Sequence, residues 1–277
     1  MCGNTVLTSL WFYFRLLVSM RLSRFVEFGR KIICVGRNYR DHAVELGNEV
    51  PEKPLLFMKP PTAYVVEGNP IKIPRACDEL HHEVELGVII SRKAKDVDVG
   101  SAMDFVGGYA LCLDMTARKL QNDAKARGHP WEIAKGFDTS CPVGSFIPKE
   151  NIPEPHELSL WCRVNGQLRQ EGRTGDMIFN IPTIISYISG FFTLEPGDLI
   201  LTGTPAGVGP IRSGDVIEAG LESSVDSFDI FWYKLHGMEV SLGDLHKVLN
   251  PLCATHFPCV LRAFTTHRDF LVHKCHP

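Results

Sequence analysis

The sequence predicts a β-rich α+β domain. Short apolar runs are bounded by Gly, Pro or Asp, few stretches have helical periodicity, and the strand–helix alternation of a parallel sheet is absent. In chain order, Lys31-Ile32-Ile33-Cys34-Val35-Gly36 is a buried-strand signal ending on glycine. Asn38 to Gly47 follows as a short helix, with Asn38 as candidate N-cap and Gly47 as the stop. Leu55 to Lys59 is a strand closed by Pro60-Pro61, and Val84 to Ile90 is another. Gly107 to Asp114 is strand-like, and Met115 to Lys125 predicts a helix. Leu160 to Arg169 predicts a hairpin, because Asn165-Gly166 tolerates the positive φ angles of a type I′ turn. Asn180-Ile181-Pro182 opens a helix with Ile184, Ile185 and Ile188 on one face. Turns at Leu194–Asp198 and Arg212–Asp215 lead into strands Leu199–Leu201 and Val216–Glu218.

At 277 residues and 44% hydrophobic the chain can bury a sizeable core. A net charge of −3 argues against a general nucleic-acid binder, and no apolar run is long enough to span a bilayer. Nine scattered cysteines, odd in number and without a CxxC pair, fit a reduced compartment. The first stretch, MCGNTVLTSLWFYFRLLVSMRLSRF, holds Arg15, Arg21 and Arg24 and no acidic residue before Glu27. That composition makes residues 1–21 a targeting-like or disordered extension, as in a mitochondrial transit segment; the alternative is an unprocessed extension ahead of an internal start at Met20.

LHHEVELGV is the most suggestive stretch for chemistry. On a strand Glu83 and Glu85 share a face, and two adjacent carboxylates repel unless something positive lies between them. Hard oxygen ligands suit Mg²⁺ or Mn²⁺, and HHEVE is not the HExxH of a zinc protease. The plainer alternative is a pair of solvent-facing glutamates on an edge strand. Asp114, ending the strand YALCLD, adds a third carboxylate, with Arg118 and Gln121 following it on one helix face; alone, it could equally be a helix N-cap. His42 and Glu45 are neighbours on the short helix, a general-base pairing or an ordinary exposed pair. Lys59 and Lys135 are candidate anion ligands or snorkelling lysines. The Gly-rich loop LTGTPAGVG could present amides and a hydroxyl to an anion, or be a tight corner, and it is not a P-loop.

In order along the chain, CVGRNYRDHAVEL, LFMKPPTAY, LHHEVELGVII, DFVGGYALCLDMTAR, AKGFDTSCPVG, VNGQLRQEG and LTGTPAGVGP resemble the fumarylacetoacetate hydrolase family, from about Leu22 to about Val225. The resemblance implies a mixed β-roll with a few short helices over residues 22–225, assembled as a homodimer. It implies a Mg²⁺ site, with Mn²⁺ as the second choice, ligated by Glu83, Glu85 and Asp114. It places a catalytic His42–Glu45 dyad on a lid segment, with Lys135 as the third catalytic residue. Substrate contacts fall at Arg37, Lys59, Arg118, Gln121, Gly203 and Thr204. The implied substrates are small 2-oxo acids, handled through a stabilised pyruvate enol(ate). The implied reactions are keto–enol tautomerisation and decarboxylation of oxaloacetate, and hydrolysis of acylpyruvates such as acetylpyruvate and fumarylpyruvate. The implied location is the mitochondrial matrix, with a cytosolic pool as the alternative.

After Val225 the resemblance fails. DSFDIFWYKLHGMEV is followed by a tail rich in His and Cys, including Cys253-x2-His256-x2-Cys259, whose spacing matches no common zinc pattern. Residues 226–277 are expected to be an atypical tail, poorly ordered over 240–277, although SFDIFWY can supply a strand. This departure keeps one alternative to the enzyme reading, an inactive 2-oxo-acid-binding relative; within the enzyme reading the alternative is a related hydrolase of another β-diketo acid.

Overall fold

The computed structural model describes residues 20–223 and 227–237. The targeting-like stretch before Met20 and the tail beyond residue 237 therefore lie outside the described residues. The elements are α1 (Phe25–Phe28), β1 (Ile32–Gly36), α2 (Arg40–Glu45), β2 (Leu55–Lys59), β3 (Tyr64–Val66), β4 (Ile71–Ile73), β5 (Leu80–His82) and β6 (Val84–Ile90). Next come β7 (Val106–Leu113), β8 (Thr116–Ala117), α3 (Arg118–Arg127), α4 (Glu132–Lys135), β9 (Cys141–Val143) and β10 (Ile147–Pro148). The chain continues through β11 (Ser159–Val164), β12 (Gln167–Arg173), α5 (Ile181–Phe191), β13 (Leu199–Leu201), β14 (Gly209–Ile211), β15 (Val216–Glu222) and β16 (Ser227–Gly237).

The molecule is α+β and β-rich, built on mixed sheets with few and short helices. An eight-stranded sheet runs β2-β1-β13-β6-β7-β9-β3, with β10 also paired to β7. Its β1/β13 and β3/β9 pairs are parallel and its other pairs antiparallel. A five-stranded sheet runs β12-β11-β15-β16-β4, and a three-stranded one β14-β5-β8.

Strand alternation explains why the large sheet lies in the interior. Val84, Leu86, Val88 and Ile90 of β6 join one apolar cluster, while Ile89 joins the other. Ile33 and Val35 of β1 divide from Ile32 and Cys34 in the same way, as do Tyr109 and Leu111 of β7 from Ala110 and Cys112. Both faces are therefore covered, and the central strands read as nearly continuous apolar runs.

Most of the expected elements are present where the sequence placed them. Asn165 and Gly166 adopt φ of 52° and 77°, and the hairpin β11–β12 turns on them as expected. Asn180 caps α5 by accepting the Thr183 N–H at 3.0 Å, and Ile184, Ile185 and Ile188 are buried.

Two local expectations need correction. Asn38 does not cap α2; its amide donates to the carbonyls of Phe179 and Thr202, and its oxygen accepts the Phe179 N–H. It ties three loops together instead. The helix expected from Met115 begins at Arg118 and runs to Arg127, because Thr116 and Ala117 stay extended to pair with His81 and Leu80. Tertiary pairing here overrides local helix propensity.

SFDIFWY is the start of β16, which pairs antiparallel with β15 and, further on, parallel with β4. The buried Tyr233 of β16 reaches the carbonyls of Val65 and Val143 at 3.0 and 2.8 Å, joining the five-stranded sheet to strands of the large one.

Candidate metal and substrate site

The site lies where the chain passes from the three-stranded sheet into the large one. Glu83 is the single residue between β5 and β6, and its carboxylate converges on that of Glu85. The carbonyl of Glu83 accepts the Asp114 N–H at 2.8 Å, which fixes the segment after β7 beside it. Glu85 pairs across the sheet with Cys112. Carboxylate oxygens of Glu83, Glu85 and Asp114 consequently lie within 4.8 Å of one another, and all three residues are buried.

Three cations surround this triad. Lys135, at the end of α4, donates to Glu83 Oε2 at 2.9 Å, Asp114 Oδ2 at 2.6 Å and Thr116 Oγ1 at 2.6 Å. Arg118, at the start of α3, donates through Nη2 to Glu83 Oε1 and through Nη1 to Gln121 Oε1 at 2.7 Å. The Arg118 Nε–H meets His81 Nδ1 at 3.3 Å, and the other ring nitrogen of His81 lies 2.6 Å from Glu79.

Lys59 Nζ forms an ion pair with Asp114 Oδ1 at 2.8 Å and also donates to the carbonyls of Met115, Ser140 and Lys135. That oxygen is buried beside a positive charge, with no hydrogen bond of good geometry to it.

The charges follow from these contacts. Burial drives the Glu83 carboxyl up, but Lys135 and Arg118 outweigh it and hold the group well below the usual carboxylate range. Glu85 goes the other way: burial, then the negative charges of Asp114 and Glu83, push it well above that range. Burial depresses Lys135, yet Asp114 and Glu83 more than compensate and keep it an ammonium.

These residues fit a hard divalent cation. The donor set is all oxygen, Asp114 Oδ1 is buried without a well-formed hydrogen bond, and at Glu85 burial and the neighbouring carboxylates outweigh the pull of Lys135.

Around the triad, His42 of α2 is buried and its Nδ1 lies 3.5 Å from Glu45 Oε2. Burial holds its pKa below the ordinary histidine value, with Glu83 and Glu45 offsetting only part of the effect. Both Glu45 oxygens also accept the Gly207 N–H at 3.1 Å, so α2 is latched to the Gly-rich loop. In that loop the Gly203 N–H donates to Glu85 Oε2 at 2.7 Å, and the Thr204 hydroxyl donates to the Val84 carbonyl at 2.8 Å.

Arg37, His42, Glu83, Glu85, Asp114, Arg118, Gln121, Lys135 and Thr204 line one cleft. The fold therefore gathers nine of the twelve residues singled out in the sequence. The other three stand behind the cleft wall. Lys59 contacts Asp114 and three carbonyls, the Gly203 amide donates to Glu85, and Glu45 accepts the Gly207 N–H. In this structure Lys59 supports Asp114 and the Gly203 amide supports Glu85.

Sequence reasoning missed Thr116 and Gln170, as well as Lys125 and Trp131, which also line the cleft. Gln170 is the buried residue in a strand whose neighbours are mostly exposed, a contrast invisible before the hairpin is placed. Lys125 had a readable signal, since it continues the helical face of Arg118 and Gln121.

Among the described residues no helix is long and apolar enough to cross a membrane.

The family model described as fumarylacetoacetate hydrolase, C-terminal, matches residues 31–228. The chain is 58% identical over 207 residues to the mitochondrial oxaloacetate tautomerase of Homo sapiens, covering 75% of this chain and 94% of that one. It is 53% identical over 201 residues to the mitochondrial oxaloacetate decarboxylase of Dictyostelium discoideum, covering 72% and 92%. The solved structure of fumarylpyruvate hydrolase from Pseudomonas aeruginosa in complex with Mn²⁺ and pyruvate aligns with a TM-score of 0.71 at 35% identity, covering 75% of this chain and 90% of that one. With its mixed sheets, its buried acidic triad and these matches, the chain belongs to the fumarylacetoacetate hydrolase family.

Proposed function

We propose that this protein is a Mg²⁺-dependent enzyme, able to use Mn²⁺, that acts on small 2-oxo acids through their enol(ate) form. Its reactions are tautomerisation and decarboxylation of oxaloacetate and hydrolysis of acylpyruvates to pyruvate and a carboxylic acid. The observation that carries this reading is the buried Glu83–Glu85–Asp114 triad sharing one cleft with Lys135, Arg118 and His42. The names of the human and Dictyostelium relatives, and the Mn²⁺ and pyruvate of the Pseudomonas structure, support it.

When bound, the divalent ion supplies Lewis-acid polarisation of the 2-oxo acid group. Lys135 and Arg118 add fixed positive charge where the enolate develops, in a site shielded from water. Gln121 and Arg37 orient the substrate from the cleft wall. His42 is held neutral by burial and is paired at Nδ1 with Glu45, which leaves Nε2 to accept a proton. In tautomerisation that proton comes from C3 of oxaloacetate and is passed back to the 2-oxo oxygen, giving the enol and restoring neutral His42. In acylpyruvate hydrolysis it comes from water attacking the distal acyl carbonyl; the C–C bond then breaks and its electron pair becomes the pyruvate enolate. Decarboxylation needs no water, since C3–C4 cleavage releases CO₂ and leaves the same enolate.

The protein acts as a homodimer in the mitochondrial matrix; the names of the mitochondrial relatives and the basic, acid-free N-terminal stretch support the location. The test is oxaloacetate and acetylpyruvate turnover with Mg²⁺, with EDTA, and in Glu83→Ala. Loss of turnover by about a hundredfold or more is expected in the variant and with EDTA. Full activity of Glu83→Ala would overturn the site, and binding without turnover in the wild type would make the protein a 2-oxo-acid binder.

A further inference from the structure

One cation in the cleft has no role in the chemistry described above. Arg118, Gln121 and Lys125 are spaced three and four residues apart on α3, so they form one stripe along its surface. Arg118 is at the triad, Gln121 is bonded to Arg118, and Lys125 lies about 10 Å further along the helix axis. Helical side chains lean toward the N-terminus, so a long residue at 125 reaches back toward Gln121, and Lys125 lines the same cleft as Glu83 and Asp114.

The position of this ammonium is unusual for a surface lysine. Among the described residues no carboxylate lies within ion-pair distance of Lys125, although it is half-buried. Its Nζ sits 5.2 Å from the centroid of the Trp131 ring, which itself packs on Phe57. That shelf keeps the charge at the cleft and out of bulk water. Burial, followed by the positive charges of Arg118, Arg37 and Lys135, lowers its pKa to about 8. An unpaired cation crowded by other cations is a place for an anion, and α3 leads from the triad straight to it.

We propose that Lys125 recognises the distal carboxylate of a dicarboxylic 2-oxo acid, making the cleft selective for such substrates over those that end in a neutral acyl group. The proposal rests on the 2-oxo-acid reading above. A substrate whose 2-oxo acid end is held at the triad sends its other end outward along the Arg118–Gln121–Lys125 stripe, and a carboxylate there meets the unpaired ammonium.

The experiment compares wild type, Lys125→Met and Lys125→Arg, after matching their thermal unfolding. Lys125→Met keeps the length and the packing on Trp131 but removes the charge. It is expected to lower the ratio of kcat/KM for oxaloacetate to that for acetylpyruvate by about tenfold, mainly through KM, with Lys125→Arg restoring most of the ratio. Calorimetric Kd values for two unreactive probes, malate with a distal carboxylate and lactate without one, are expected to shift in parallel, with only malate weakened by about tenfold. A ratio for Lys125→Met that stays within about twofold of wild type, or equal losses on malate and lactate, would overturn the proposal. If wild type turned over neither substrate, the enzyme reading would fail, and the malate–lactate comparison would still decide what Lys125 binds.

Discussion

Gln170 commits its whole amide to four partners. Its Oε1 accepts from His82 Nδ1 at 2.8 Å and from the Val84 N–H at 3.1 Å, and its Nε2 donates to Thr204 Oγ1 at 2.7 Å and to the Pro205 carbonyl at 2.9 Å. One side chain from β12 thereby locks the Gly-rich loop to the strand that carries the acidic triad. Gln170→Leu leaves these groups unpaired in a buried place, and a loss of about 3 kcal/mol in urea unfolding is expected. Lys125 sets a pH limit of a different kind. Arg118 and Gln121 face it from α3, Arg37 from the β1–α2 corner, Lys135 and Trp131 from α4 and its cap, and Glu83 from the triad. With its pKa lowered to about 8, Lys125 is charged below that pH and neutral above it. KM for oxaloacetate is therefore expected to rise as pH passes 8, and the rise to disappear in Lys125→Met, a pattern read from KM–pH profiles.

The loop from Thr202 to Gly209 and the helix α2 behave as one element, because Glu45 accepts the Gly207 amide while Asn38 grips the Thr202 carbonyl. Within it, Gly203 has φ of +101°, and a Cβ there would come within 2.6 Å of Asn38 Cβ. Gly203→Ala is thus strained both by its backbone and by its neighbour, and a cost of about 2–3 kcal/mol is expected in chemical denaturation. The same change shifts the amide that holds Glu85, so Mn²⁺ affinity measured by calorimetry is expected to fall with it. The loop's composition was readable as a glycine-rich anion-binding turn, but its donors turned out to face the protein's own carboxylate and carbonyl. Sequence could not show this, because the partners Val84 and Glu85 lie more than a hundred residues away. The start of α3 differs from its local helical signal for a similar reason, since Thr116 and Ala117 are claimed by β5.

At the scale of the whole molecule, one cluster sets three buried carboxylates against three buried cations, Lys59, Lys135 and Arg118. Such clusters are costly to desolvate, and this one leaves Glu85 without a positive partner of its own. A divalent ion that binds only the folded protein is expected to stabilise it by about 2.7 kcal/mol at a hundred times its Kd. Thermal unfolding should then shift upward by about 5 °C or more with Mg²⁺ or Mn²⁺, and EDTA or Asp114→Ala should abolish the shift. The five-stranded sheet draws its β16 strand largely from residues past the end of the family match at 228. Tyr233 on that strand reaches β3 and β9 of the large sheet, so an unusual sequence still supplies the joint between the two layers.

Composition, turn chemistry and period-2 alternation were sufficient to read a β-rich α+β domain, the Asn165-Gly166 hairpin and the Asn180-capped helix. Each of these depends on neighbours within a few residues, so local physics decides it. The acidic triad was readable because Glu83 and Glu85 stand two apart in extended chain and Asp114 ends a strand. Tertiary structure alone decided what surrounds that triad. It placed Lys59 behind Asp114, turned Gly203 toward Glu85, brought Gln170 under Thr204 and set Lys125 on the cleft wall with no carboxylate partner among the described residues. Those outcomes rest on hydrogen bonds and charges between distant segments, and a buried donor or acceptor takes whichever partner the fold puts within reach.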